Sequence, residues 1–180
     1  MGTRQIQTIK TLRKDLYNLT PPVNHASGTY IIWVRKNDAI ALMKSIPGLY
    51  SGEIQTRQIN GAEYLALYFG ISKDLLKRAK WHFCQRHTES NVRSKTLSTL
   101  RQTISALLGI NMTSSQNEVN AFFERACYWE WNYAGSFEEA KQIETEQLRK
   151  CYYPLNIQEN RNVNTEQIHA LKERRRKYNY

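Results

Sequence analysis

The sequence predicts an α+β fold: a small central, mainly antiparallel sheet of about three strands, flanked by helices, with extra helices at both termini. Three short runs carry strand chemistry: Gly28 to Val34, Glu63 to Phe69, and Cys127 to Tyr133. All three are rich in aromatic or β-branched residues. The longer stretches around them repeat apolar residues at helical spacing. The order α–β–(α)–β–α–α–α–β–α–α does not alternate strand with helix as a series of βαβ units would.

From the N-terminus, Ile6, Ile9, Leu12, Leu16 and Leu19 stand three or four residues apart. They predict one amphipathic helix over 4–19, closed by Pro21-Pro22. Tyr30 to Val34 forms the body of the first strand. Residues 36–60 read as an excursion, with a short helix from Asp38 to Ser45 and turns at Pro47-Gly48 and Ser51-Gly52. The second strand is expected to stop at Gly70, and a helix follows from Ser72 to about His87, opening on a Ser/Asp cap. Residues 88–96 read as a polar loop. The stripe Leu97, Leu100, Ile104, Leu107, Leu108 predicts a helix ending at Gly109. Ser115-x-x-Glu118 and Ser136-x-x-Glu139 are capping-box patterns; the second opens a helix running to about Lys150. Between them Cys127, Trp129, Trp131 and Tyr133 alternate with Tyr128, Glu130 and Asn132, the period of a third strand. A tail helix is expected from Thr165 to Tyr180, carrying the basic run 172–177. The chain divides into a helix over 1–24, a central domain over 25–160 and a basic tail over 161–180.

Lys and Arg number 26 against 16 Asp and Glu, a net charge of +10 over 180 residues. That excess favours a polyanionic partner, nucleic acid before a membrane surface. No apolar run approaches the roughly 20 residues needed to span a bilayer, and Met-Gly-Thr-Arg-Gln holds no signal core, which predicts a cytoplasmic protein. Cys84, Cys127 and Cys151 lack metal-ligand spacing and read as reduced structural thiols. His25, His87 and His169 likewise read as structural, and Trp81, Trp129 and Trp131 as packing.

The corner between the second strand and its helix is the chemically dense place. Tyr68-Phe69-Gly70 leads into a helix that presents Arg78 and His82 four residues apart, on one face. Pairing with the first strand adds Tyr30. Phenol, guanidinium and imidazole together can hold a phosphodiester, neutralise it and move a proton. These pieces resemble the GIY-YIG nuclease family. Gly28-Thr29-Tyr30 and Tyr68-Phe69-Gly70 stand where the two family tripeptides stand, followed by Arg78 and His82, then Glu144 on a later helix and Asn156 after Pro154. The tyrosines lie 38 residues apart, so 36–60 reads as an insertion in a family that joins these strands by a short hairpin. Thr99-Leu100-Arg101 and Pro154-Leu155-Asn156-Ile157, with Asn160, are also similar to a bacterial branch of that family.

The resemblance implies an endonuclease that hydrolyses DNA with one divalent metal, Mg²⁺ or Mn²⁺. It implies Glu144 as metal ligand, Arg78 as phosphate clamp, Tyr30 or Tyr68 as the group that orients or deprotonates water, His82 as proton relay, and Asn156 as a brace. Glu146 shares the helix with Glu144. Glu144 lies on the apolar stripe with Ala140, Leu148 and Cys151, whereas Glu146 faces Lys150 at i+4, the pattern of a solvated pair. Gly70 leaves room for substrate, and Lys73, Lys77, Arg86, Arg93, Arg174 and Arg175 are candidate phosphate contacts. The partner implied is double-stranded DNA, with a homodimer favoured if both strands are cut. Restriction or phage defence is the leading role. A repair nuclease, an RNA-cutting enzyme and a non-catalytic nucleic-acid binder are the rivals.

Overall fold

A computed structural model describes residues 4–50, 53–157 and 165–179. Ser51-Gly52, Asn160, Tyr180 and the boundary at 160/161 lie outside the described residues. The chain runs β1 (Gln5–Thr8), α1 (Ile9–Tyr17), β2 (Gly28–Arg35), α2 (Lys36–Met43), β3 (Thr56–Ile59), β4 (Ala62–Ser72), α3 (Leu75–Phe83), α4 (Glu89–Arg93), α5 (Thr99–Leu108), α6 (Gln116–Ala126), β5 (Cys127–Tyr133), α7 (Phe137–Lys150) and α8 (Thr165–Lys177). The class is α+β, and every strand pairing is antiparallel.

The sheet has five strands in the order β1-β5-β2-β4-β3, where about three were expected. The three foreseen strands are its middle; the two missed are its edges. β1 is four residues long, and its Ile6 has the same spacing to Ile9 that a helix would give. The expected helix over 4–19 therefore begins only at Ile9, where Thr8 caps it by accepting from the Thr11 N–H. Leu19, counted in the helical stripe, is 80% exposed with a positive φ beyond the helix end. β3 lies within the 36–60 excursion and is polar, Thr-Arg-Gln-Ile, as suits a short edge strand.

The faces of the sheet bury two clusters. Tyr30, Ile32, Val34, Leu65, Leu67, Trp129 and Trp131 face α1, α3, α5 and α6. Ile31, Trp33, Tyr64, Ala66 and Phe69 face α7, with Leu148. A β-bulge interrupts strict alternation on β4: Ile32 pairs with Tyr68, but Trp33 pairs with Ala66, leaving Leu67 as the extra residue. Consequently Leu67 and Tyr68 both turn to the face that holds Tyr30.

Other boundaries moved. β4 runs through Gly70 to Ser72, so the strand does not stop at the glycine. α3 is shorter than expected, beginning at Leu75 on Asp74, whose carboxylate accepts from the Lys77 N–H, and ending at Phe83. The polar loop at 88–96 contains α4. Ser136 caps α7 as anticipated, and Gly109 ends α5 in the left-handed conformation. Ser115 makes no side-chain cap. Its hydroxyl is buried instead against Ser105 Oγ at 2.7 Å and His87 Nδ1 at 3.1 Å. Among the described residues no helix is long and apolar enough to cross a membrane.

Candidate active site

The register of β2 against β4 places Tyr30 directly opposite Gly70. A Cβ on Gly70 would lie 2.5 Å from the Tyr30 ring carbon Cζ and 2.5 Å from its hydroxyl. Gly70 is thus glycine because the Tyr30 ring lies on its Cα; the room it leaves is taken by a side chain of this protein. Gly28 serves the other end of the corner, where a Cβ would meet the Asn132 carbonyl at 2.2 Å and Leu75 at 2.7 Å. The two tripeptides therefore let a strand pair, a phenol and the start of α3 approach closely.

Tyr30 is 2% exposed, and its hydroxyl is 2.8 Å from His82 Nε2. His82 Nδ1 is 2.7 Å from Ser98 Oγ. Tyr68, brought to this face by the bulge, lies beside Tyr30 with ring centres 6.0 Å apart. Serine, imidazole and the Tyr30 phenol thus form one hydrogen-bonded line, with Tyr68 beside its outer end. Burial pushes the Tyr30 pKa well above its usual value, and Tyr68 adds to the rise. Burial also raises Tyr68, which its neighbour Tyr30 and the charge of Arg78 partly offset. His82 is driven the other way, well below 6.5, first by burial and then by Arg78 and Arg101. A neutral ring carries one N–H and one lone pair, so whichever end donates, the other accepts.

Tyr30, Tyr68, Gly70, Arg78, His82, Glu144 and Asn156 line one cleft of about 500 Å³. Arg78 stacks its guanidinium over Trp81, 4.7 Å from the ring centre. Glu144 reaches the cleft from α7, close enough for its charge to act on both phenols. Glu146 is exposed on the same helix, 3.7 Å from Lys150. Asn156 uses its amide on the backbone of β4: Oδ1 accepts from the Phe69 N–H at 2.9 Å and Nδ2 donates to the Phe69 carbonyl at 2.7 Å. It braces the strand beside Gly70, and its geometry is that of a positioning residue.

The expected phosphate contacts divide. Arg175 lines the cleft. Lys73 lies over the Phe137 ring, Lys77 pairs with Asp74, and Arg93 pairs with Glu89. Arg174 donates to the Ala106 carbonyl at 2.8 Å and docks α8 on α5. Arg86 is exposed, away from the cleft lining.

Arg101 went unassigned a role from sequence. It is fully buried, with no carboxylate among its hydrogen-bond partners. Its guanidinium donates to His87 Nε2 at 2.6 Å, the His82 carbonyl at 2.9 Å and Asn120 Oδ1 at 2.7 Å. Arg13 reaches the Phe83 carbonyl and Asn120 from the other side. Two cations thereby hold the last carbonyls of α3, groups a helix leaves unsatisfied, at its negative end. Burial lowers His87 to about 4, so it stays neutral and accepts the Arg101 proton. The sequence signal for Arg101 was the Thr99-Leu100-Arg101 motif; nothing in the pattern said its charge would be buried.

As to a metal, Glu144 offers one hard carboxylate beside two phenol oxygens, and among the described residues no three His, Cys, Asp or Glu side chains gather. That donor set suits a hydrated Mg²⁺ or Mn²⁺ whose shell water and substrate oxygens complete. It does not suit a closed zinc site. A family model described as the GIY-YIG catalytic domain matches residues 28–177. No curated protein and no solved structure matches the chain significantly.

Proposed function

The chain belongs to the GIY-YIG catalytic-domain family, and we propose that it is an endonuclease that hydrolyses DNA phosphodiester bonds. One observation carries this reading. Two phenols, a guanidinium, a neutral imidazole and a carboxylate from β2, β4, α3 and α7 line a single cleft in a chain of net charge +10.

Arg78 binds a non-bridging phosphate oxygen through its rigid donor fork. The phosphate charge then offsets Arg78, the second cause of the depressed His82 pKa. Substrate binding therefore makes His82 a better base at the moment it is needed. The attacking water gives a proton to the Tyr30–Tyr68 pair as the Tyr30 hydroxyl passes its own to His82 across 2.8 Å. Burial keeps both phenols protonated beforehand, so the resting site carries no stray phenolate. Mg²⁺ or Mn²⁺ on Glu144 would supply charge stabilisation for the phosphate and the leaving oxygen. Asn156 holds β4 in place and touches no reacting atom in this scheme. The long excursion between β2 and β4 fits a restriction-type role, which a discrete cut site in mixed-sequence DNA would support.

The experiment is nicking of supercoiled plasmid. The parent cuts with Mg²⁺ or Mn²⁺ and stops with EDTA. Glu144→Gln loses at least 100-fold in rate while binding persists, and Glu146→Gln stays within about twofold, the scale of a surface substitution. A Glu144→Gln protein that cuts like the parent would overturn the ligand assignment.

A further inference from the structure

A second groove, of about 340 Å³, opens beside the first. The two share Thr99, Lys172 and Arg175, so one runs into the other. The second groove adds Lys95 and Arg176, and among the described residues no acidic side chain lines it. Its walls are α8 on one side and the turn after α4 with the start of α5 on the other. Lys172, Arg175 and Arg176 stand at i, i+3 and i+4, one face of α8.

Arg175 is the telling side chain. One of its amino groups donates to Gln102, while its Nε is buried without a hydrogen-bond partner. Among the described residues no carboxylate pairs with it, and a buried cationic donor left so is costly unless an anion arrives. Lys95, Lys172 and Arg176 have no ion-pair partner among the described residues. This contrasts with Arg93, held by Glu89 on the neighbouring helix. Lys95 projects from a residue with φ of 58°, a conformation uncommon for a lysine. Other surface cations are matched, among them Lys36 to Glu63, Arg13 to Glu124 and Arg125 to Asp38.

We propose that Lys95, Lys172, Arg175 and Arg176 form a phosphate track that holds the nucleic-acid backbone flanking the phosphodiester in the cleft. The inference rests on the nuclease reading for the identity of the polyanion. It makes α8 a wall of the substrate channel. Four residues of helix advance about 6 Å, the order of the step between adjacent phosphates on one strand. The track contacts phosphates alone and is blind to base sequence.

The test separates binding from cutting. Glu144→Gln protein in EDTA is titrated into a labelled 30-base-pair duplex, followed by anisotropy over about 50 to 200 mM salt. Each phosphate contact contributes about 0.9 to the slope of log K against log salt. Lys95→Gln/Lys172→Gln/Arg176→Gln is expected to lower the slope by about 2.7, which shrinks the affinity change across that range by about 40-fold. Lys172→Arg/Arg176→Lys keeps the slope, and so does Lys10→Gln on α1, outside both grooves. The three altered side chains are solvent-exposed, so the melting temperature stays with the parent's. An unchanged slope in the triple variant overturns the track, as does an equal fall per charge in Lys10→Gln or a parent that binds no duplex. A protein that binds with the expected slopes, while its Glu144 form cuts nothing with Mg²⁺, keeps the track and refutes the hydrolytic reading.

Discussion

Gly70→Ala is a small change with a large expected effect, because the structure says what the new methyl group meets. Its Cβ would sit 2.5 Å from Tyr30 Cζ and from the Tyr30 hydroxyl, where ordinary contact begins at 3.4 Å. Relief needs a shift of about 0.9 Å, the difference of those two distances. The ring cannot tilt freely: Trp129, Tyr68 and His82 surround it with ring centres within 6.0 Å. Overpacking at a closed site costs about 1–3 kcal/mol. For a chain of this size that is a melting-point loss of roughly 2–12 °C. Displacing a reacting group by about 1 Å can lower the rate by about 100-fold. The assay is calorimetry with single-turnover cleavage, run as a cycle with Tyr30→Ala. Once the ring is gone the added methyl meets nothing from it, so Gly70→Ala costs little in that background, a coupling of about 1–3 kcal/mol. Additive losses, or a Gly70→Ala protein that melts and cuts like the parent, would refute the packing of Tyr30 on Gly70.

Two further outcomes are expected. His87 has its folded pKa lowered from 6.5 to about 4, so its neutral form is favoured by folding. That contribution is complete above pH 6.5 and is lost as pH falls through 6.5 toward 4, by about 3 kcal/mol at most. His87→Gln, which keeps an acceptor for Arg101 and does not titrate, flattens the loss in urea titrations at pH 7 and pH 4.5. Asn156→Ala strands the Phe69 N–H and carbonyl, which should lower stability by about 2–4 kcal/mol in urea unfolding. It should also reduce cleavage less than Glu144→Gln, since its amide holds a strand and leaves substrate alone.

The elements with strong local signals were legible in the chain. The Cys127–Tyr133 run alternates Cys127, Trp129, Trp131 and Tyr133 with Tyr128, Glu130 and Asn132 at the period of a strand, and its bounds are those of β5. Ser136 with Glu139 marked the start of α7. Arg78 and His82 share a face because helical spacing makes them share it. Periodicity set Glu144 on the inward stripe of α7, and Glu144 lines the cleft while Glu146 is exposed beside Lys150.

What escaped depends on partners remote in sequence. β1 is a strand because β5 offers it an edge; alone, Ile6 joins a helical stripe equally well. Strict alternation along β4 sets Tyr68 on the face opposite Leu67, and only the bulge, created by the register against β2, turns it toward Tyr30. Arg101 looked like one more cation in a basic chain. Its burial against His87, Asn120 and the end of α3 is a product of how α3, α5 and α6 pack. The tail showed its charge, but not that Arg174 faces inward while Lys172 and Arg175 line the cleft.

The central claim is that Tyr30, Arg78 and Glu144 act as one unit on one phosphodiester. Single-turnover cleavage of a labelled duplex by Tyr30→Phe, Arg78→Ala, Glu144→Gln and the triple variant measures this directly. Groups that work together are strongly non-additive, so the triple variant should be no slower than the slowest single one, and each single change should cost at least 100-fold. Losses that multiply across the three sites, or any one of them cutting at the parental rate, would contradict the account.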